Sequence, residues 1–452
     1  MIPRALTEIA EAVGGSLRGR DGVASSVATD SRLVDPGALF VALHGEDSDG
    51  HAFVADAFAR GAVGAIVDRP SEGRVIEVAD TGRALLALGA EERRRLPDAF
   101  VIGVTGANGK TSTKDLAAAV LATRFRTWAS PDSFNNEIGL PMTLLGATPD
   151  TEVIVAEMGA RRAGDVTVLC DTARPDAVVV TNIGVAHMEI FGSWDEIVRA
   201  GGEPVEWLGS DGIAIVNADD PVVRGYAARS SAEVVTFGLD ARASVRAQDV
   251  VVGPDARASF LLVHGAERQE VELAVPGEHM VPNALAAAAC GLVRGVTAAE
   301  CATALKGARV SPMRMETFTT ADGIVVLNDA YNANPESVSA GLKAARTMAT
   351  GRRLVAVLGH MAELGPIAFQ EHERLGELVV RVGVDRLVTV GEPARAIARA
   401  AVREGQLQDD VASYDEPTEA AADVRAWAHE GDVVLLKGSR AAGLERVAEA
   451  LR

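Results

Sequence analysis

Three observations predict that this chain folds as a three-domain α/β protein. Short apolar strands alternate with helix-length amphipathic stretches along most of the sequence. Across residues 100–121 a strand leads through a glycine-rich turn into an Ala-rich helix, the opening of a parallel α/β sheet. The length, 452 residues, suits about three domains of ordinary size.

The first domain, residues 1–98, combines helical periods at 5–13, 52–59 and 84–94 with strands at 39–43 and 64–67. It closes on EERRRLPD, where charge and Pro97 mark a helix end and a linker. In the second, 99–310, apolar runs at 152–159, 176–184 and 212–217 are separated by helix-length stretches, which predicts a parallel sheet covered on both faces. Between 234 and 275 the strings VVTFG, ASFLLVHG and QEVELAVPG follow one another without helices and predict an antiparallel edge. Two helices, NALAAAACGLV and AAECATALKGA, complete this domain. After a short SPM linker, the third domain, 311–452, carries strands at 323–329, 353–359, 386–391 and 432–438, an open Rossmann-like sheet.

Composition narrows the partners. Apolar residues at 48% and charged residues at 24% describe a packed globular chain rather than a disordered or fibrous one. With 44 Lys plus Arg against 63 Asp plus Glu, the net charge of -19 repels polyanions and argues against nucleic acid. An anionic ligand must therefore be held by local cations and amides. No apolar run reaches the ~18–20 residues of a membrane span, and MIPRALTEIAEAVGG lacks the apolar core of a signal peptide. A cytoplasmic monomer with no membrane partner is the expectation. Cys170, Cys290 and Cys301 lie in apolar stretches without CxxC spacing and read as buried reduced thiols. Only five of the 44 cations are lysines, and Lys110 and Lys437 both sit in Gly-rich turns.

The sharpest signal is VTGANGKTS, residues 104–112, between a strand and a helix. Its glycines let backbone amides approach phosphate oxygens, and the helix N-terminus adds positive potential. Lys110 can reach terminal phosphates, and the Thr111 or Ser112 hydroxyl can ligate Mg²⁺. It departs from a strict GxxxxGK[ST] pattern: Val104 stands where the first glycine belongs, and Gly106 follows two residues later. Glu157 and His187 end neighbouring strands at the same edge, and a carboxylate with an imidazole suits a divalent cation carrying phosphate.

The strings TGANGKTS, SFNNEIGLP, EMGARRAGDV, TNIGVAH, VNADDP, GEHMVPNALAA, PMRME, DAYNANPES and LKGSR, with DSRLVDPGALFVALHGEDSDGHAF before them, occur in an order that resembles the Mur ligases across the whole chain. SFNNEIGLP and DAYNANP point to the branch that adds D-alanyl-D-alanine. The resemblance implies an ADP-forming amide ligase in peptidoglycan synthesis. The carboxylate of a UDP-linked muramoyl tripeptide would attack the γ-phosphate of ATP, and D-alanyl-D-alanine would attack the acyl phosphate. It implies that Gly106, Asn108, Gly109, Lys110, Thr111 and Ser112 hold the ATP phosphates, with Arg314 beside them, Asn283 on adenine and Asp329 on ribose. Thr111 and Glu157 would ligate one Mg²⁺, and Glu157 with His187 a second. Lys110, Asn136 and His187 would work at the reacting centre, with Asn182 facing it. Ser31 and Arg32 would contact the UDP moiety, and Asn332, Lys437 and Ser439 the dipeptide.

Read locally, several of these residues have plainer roles. Asn283 also suits a helix cap, Arg314 a linker ion pair, Asp329 a strand-end turn, Ser31 and Arg32 a cap with a surface cation, and Lys437 and Ser439 a turn. One position departs from the family. The Mur ligases carry a carbamoylated lysine in an AKGE-like string after the His, whereas this chain reads AGGE, with Gly201 in that place. Glycine supplies no ligand. Open readings are that Glu203 or Glu206 substitutes in charge, that the second metal binds weakly, or that the chain is a paralogue joining another carboxylate and amine, or a non-catalytic nucleotide-binding protein.

Overall fold

The computed structural model describes residues 1–45 and 48–452; Glu46 and Asp47, inside the N-terminal motif, lie outside the described residues. Three main sheets follow one another along the chain. The first has five strands, in the order Ser16–Arg18, Val75–Glu77, Gly64–Val67, Ala38–Val41, Ser26–Ala28, parallel except for Ser16–Arg18. The two-residue period of the strand divides its side chains. Leu39 and Val41 pack with Leu6, Ile9, Leu85 and Leu88 of the helices Leu6–Ala12 and Thr81–Arg94, while Ala38 and Phe40 pack with Val54 and Ala57 of Val54–Ala59.

The central sheet has nine strands. Phe100–Thr105 lies between Val153–Glu157 and Ala177–Val180, parallel to both. The chain leaves Phe100–Thr105 to one side and later returns on the other, so the loop after Thr105 opens at a topological switch point, where open α/β sheets bind ligands. Both faces are covered. Ile102 and Val104 join Leu116, Ala117 and Val120 of the helix Lys110–Leu121, and Val101 joins Leu140 and Leu144 of Gly139–Gly146.

Beyond this parallel part the expected antiparallel edge needs correcting. VVTFG, in Glu233–Gly238, pairs parallel to Ile213–Asn217. The strand is exposed or half-buried over Glu233–Thr236 and buried at Phe237 and Gly238, so its polar start reflects exposure and not its direction. Antiparallel pairing begins one strand later. Val245–Val252, not foreseen in the sequence, pairs antiparallel with Arg257–His264, which pairs antiparallel with Glu267–Pro276.

The third sheet places the four expected strands in its middle, as Val325–Asn328, Val433–Lys437, Leu354–Gly359 and Arg386–Val390, all parallel. It adds an antiparallel edge strand, Glu316–Thr319, and a parallel one, Val411–Tyr414. All three cysteines are buried and unpaired, and burial pushes the Cys290 and Cys301 thiols up to about 12. Among the described residues no helix is long and apolar enough to cross a membrane.

Candidate active site

The glycine-rich turn wraps the carboxyl end of Phe100–Thr105. Gly106 and Gly109 take φ of +131° and +80°, and a Cβ would lie 2.1 Å from Thr181 Oγ1 at the first and 2.3 Å from Asn283 Oδ1 at the second. Both positions therefore require glycine in conformation and in space. The loop is braced from the next strand. Asn182 Oδ1 accepts from the Asn108 amide at 2.8 Å, Asn182 Nδ2 donates to Asn108 O at 3.0 Å, and Thr181 Oγ1 donates to the same carbonyl at 2.6 Å. Asn182, expected at the reacting centre, thus holds the loop in shape from the cleft wall. Lys110 folds back so that Nζ donates to Gly106 O at 2.8 Å and Ala107 O at 3.4 Å. Burial lowers its pKa, partly offset by the charge of Glu157.

Glu157 ends its strand fully buried. Oε1 accepts from Asn135 Nδ2 at 2.8 Å and Ser133 Oγ at 3.1 Å, and Ser133 Oγ lies 3.1 Å from Thr111 Oγ1. Oε2 has no hydrogen-bond partner among the described residues. A buried anionic oxygen without a donor costs free energy unless a cation visits it, so this donor set of carboxylate and hydroxyls fits Mg²⁺. Asn135 and Ser133 were not singled out in the sequence. Their neighbour Asn136 is exposed, and its Oδ1 accepts from the amides of Ile138 and Gly139 at the start of the following helix.

His187 stands at φ +59° after Ala177–Val180, and its Nδ1 contacts Glu363 Oε2 of the third domain. Glu363 Oε1 accepts from Arg161 Nη2 at 3.0 Å. Burial lowers the His187 pKa against the opposing pull of Glu363. Neither Arg161 nor Glu363 was visible as a site residue, because the contact joins positions far apart in the chain.

Around the loop runs a cleft of about 940 Å³, lined by residues 107–112, Glu157, Asn182, His187, Asn283, Arg314, Asp329, Asn332 and Lys437. Arg314 Nη2 donates to Thr111 Oγ1 at 3.2 Å, and its guanidinium lies 4.1 Å from the centre of the Tyr331 ring. Asn334 Nδ2 of the third domain donates to Asn108 Oδ1 at 2.7 Å. Lys437 is buried, and its Nζ donates to Asp329 Oδ2 at 2.5 Å and Asn332 O at 3.0 Å, so its charge is paired with Asp329. It lines the cleft through this pair, beside the expected dipeptide contacts Asn332 and Ser439. A second cavity of about 760 Å³ adjoins the first, and both are lined by Thr111, Ser133, Arg161, His187 and Arg314. Ser439 lines the second, with Oγ accepting from the Ala362 amide at 2.8 Å.

Ser31 and Arg32 line neither cavity. Ser31 is buried, and the exposed Arg32 makes a two-pronged pair with Asp30, Nε to Oδ1 at 3.0 Å and Nη2 to Oδ2 at 2.6 Å. Close by in sequence, His44, His51 and Asp68 cluster, but both ring nitrogens of His51 are already engaged, by Asp49 Oδ1 at 2.7 Å and the Asp68 amide at 3.2 Å. At Gly201 a Cβ would lie 2.3 Å from Ile183 Cδ1 and 2.9 Å from Tyr226 Oη. Neither candidate substitute carboxylate lines the cleft. Glu203 accepts from the Gly164 amide at 2.7 Å and caps the helix Asp165–Ala173, and Glu206 pairs with Arg229.

Comparison with known proteins agrees with this architecture. Residues 24–97 match the Mur ligase family catalytic domain, 104–291 the Mur ligase middle domain, and 313–440 the Mur ligase glutamate ligase domain. The chain is 40% identical to a UDP-N-acetylmuramoyl-tripeptide--D-alanyl-D-alanine ligase of Mycobacterium tuberculosis, over 100% of this chain and 98% of the relative. Its counterpart of the same name in Bacillus subtilis is 36% identical, over 100% and 99%. The crystal structure of MurF from Acinetobacter baumannii superposes with a TM-score of 0.88 at 31% identity, covering 99% of this chain and 98% of that one. The MurF ligase of Thermotoga maritima in complex with ADP gives 0.81 at 28%, covering 94% and 96%.

Proposed function

The chain belongs to the Mur ligase family, and from that premise we propose how its cleft works as an ATP-dependent ligase that adds D-alanyl-D-alanine to a UDP-N-acetylmuramoyl tripeptide. The observation that carries the reading is the shared wall of the two cavities, at Thr111, Ser133, Arg161, His187 and Arg314. A carboxylate activated in the first cavity then meets its amine in the adjoining second one.

In the first half-reaction the tripeptide carboxylate oxygen attacks the γ-phosphorus, the bond to the ADP oxygen breaks, and an acyl phosphate forms. In the second the amine attacks the acyl carbon, phosphate leaves and the nitrogen loses a proton. Charge neutralisation and alignment carry such a phosphoryl transfer. Lys110 exchanges its two carbonyl partners for the terminal phosphates, joined by the amides of residues 106–112 and by Arg314. Asn283, against Gly109, borders the adenine, and Asp329, pinned by Lys437, meets the ribose. Thr111 and Glu157 would hold Mg²⁺, with His187 beside Glu157 for a second ion; bound Mg²⁺ supplies charge neutralisation on the phosphates. Ser31 and Arg32 take the UDP end, and Asn332 and Ser439 border the dipeptide. Lys437 is held by Asp329, and Arg440, on the wall of the second cavity with a looser pairing to Glu445 at 3.9 Å, is a further cation for the dipeptide carboxylate.

ADP release from purified protein, with ATP, tripeptide or dipeptide omitted in turn, tests the reading. Release that requires all three supports it; release with another acyl donor or amine only, or none under any combination, refutes it.

A further inference from the structure

We propose that Glu363 is a positioning residue for His187, so that the imidazole is set for its role only when the third domain has closed on the central one. The inference rests on the ligase reading above, which places His187 at the metal and reacting centre.

Glu363 follows Leu354–Gly359 in the third domain, yet both of its oxygens are engaged by the central domain, Oε2 by His187 Nδ1 and Oε1 by Arg161 Nη2 at 3.0 Å. The backbones meet as well. The Glu189 amide donates to Glu363 O at 3.2 Å, and a Cβ at Gly365 would lie 3.1 Å from Glu189 Cα. On either side of this contact stand two non-glycine residues in left-handed conformation, His187 at φ +59° and Glu363 at φ +60°. Such conformations persist where surrounding contacts over-determine them, and here those contacts cross between domains.

A carboxylate on Nδ1 keeps the proton there, which leaves the Nε2 lone pair as the free face of the ring. His187 lines both cavities, whereas Glu363 lines the second only. The carboxylate that orients the imidazole is therefore carried by the domain that completes the amine cavity. With the third domain swung away, His187 loses its orienting partner, and the activating site is assembled only when the amine site is too. Direct binding of the amine by Glu363 is the competing role, and the engagement of each of its oxygens by a central-domain donor argues against it.

The test uses the full-length protein and three variants, Glu363→Gln, Glu363→Ala, and a charge exchange combining Arg161→Glu with Glu363→Arg, each checked for native circular dichroism. Three quantities are read: kcat and KM for each substrate from ADP release, Mn²⁺ affinity by electron paramagnetic resonance with a non-hydrolysable ATP analogue, and compaction by small-angle X-ray scattering with the same analogue. Glu363→Ala should lower kcat and Mn²⁺ affinity roughly 10–100-fold, the usual effect of removing an orienting carboxylate, with dipeptide KM changed less than about twofold. Glu363→Gln should fall between. The charge exchange should restore compaction without restoring Mn²⁺ affinity. A raised dipeptide KM at unchanged kcat would make Glu363 an amine-binding residue and overturn the proposal. Full recovery of Mn²⁺ affinity by the charge exchange would reduce the contact to a latch and overturn it too. If the parent releases no ADP, the ligase reading fails, while Mn²⁺ affinity and compaction still judge the role of Glu363.

Discussion

Lys110 is half-buried and Lys437 fully buried, and each sits at the carboxyl edge of a parallel sheet beside a Gly-rich turn, yet their ammonium groups are held in different ways. Burial lowers the pKa of both. Lys437 is compensated by Asp329 at 2.5 Å, whereas among the described residues Lys110 has only the carbonyls of Gly106 and Ala107 within hydrogen-bond reach. An ammonium held by carbonyl dipoles alone can exchange them for a stronger anion, but one paired with a carboxylate would have to break a buried ion pair first. On the proposed reading the first is the cation that meets the phosphates and the second a strut, although in the sequence they look alike.

The largest expected effect follows from that contrast. Lys110→Ala should reduce ADP release by about 10²–10³-fold, the usual cost of removing a charge-stabilising donor, with thermal stability near that of the parent. Loss of fold together with activity would make Lys110 a strut as well. Lys437→Met should instead act on stability, leaving the half-buried Asp329 with the Met315 amide as its remaining partner, at a cost of up to about 3 kcal/mol in the third domain. Calorimetry should show that domain's transition falling, and adding Asp329→Asn should recover most of the loss. Recovery of stability would identify the strut; recovery of ATP affinity at the same time would show that the Asp329 carboxylate is dispensable for ribose.

A third, smaller effect concerns the lysine that is absent. Gly201→Lys places a Cβ against Ile183 and Tyr226, whose hydroxyl donates to Val198 O at 2.6 Å. Overpacking of this kind costs about 1–3 kcal/mol. The variant should melt lower than the parent and gain neither Mg²⁺ affinity nor dependence on bicarbonate. A lowered Mg²⁺ requirement for ADP release in the variant would show that Ile183 gives way and that the position can still host a ligand.

What was legible in the sequence follows the range of the interactions involved. The strand, the glycine turn and the helix of the phosphate loop are neighbours along the chain, so residues 104–112 could be read directly. Glu157 and His187 were legible because strand ends share an edge once the sheet is known to be parallel. Asn135 was passed over for Asn136 because adjacent asparagines differ only in which one the loop turns toward Glu157. Glu363 carried no local signal, since its partners belong to another domain. The direction of Glu233–Gly238 was misread because its polar, exposed start reports which residues are wet and not how the strand pairs. The edge strands Thr127–Ala129, Glu316–Thr319 and Val411–Tyr414, three or four residues each, are too short to show any period.

The smallest effect is expected at Arg32, which extends the lysine comparison to the surface. Like Lys437, it is already paired, and the Arg32 hydrogen bonds pull the Asp30 carboxyl down to about 2. An acid depressed in the folded state makes its contribution above its unfolded value near ~4 and loses it as the pH falls through the folded one. The pair is therefore intact at any pH suited to assay, and on the proposed reading Arg32 would meet the UDP-linked substrate as half of a neutral couple. Arg32→Ala removes the cation and leaves Asp30 as an uncompensated anion beside a diphosphate, so KM for the UDP-linked tripeptide should rise a few-fold, more at low salt than at high. Asp30→Asn with Arg32→Ala removes both charges and should bring KM back toward the parent value. If the double variant binds as poorly as Arg32→Ala alone, the guanidinium itself contacts the substrate; if neither variant changes KM at low salt, Arg32 and Asp30 form a surface pair with no part in binding.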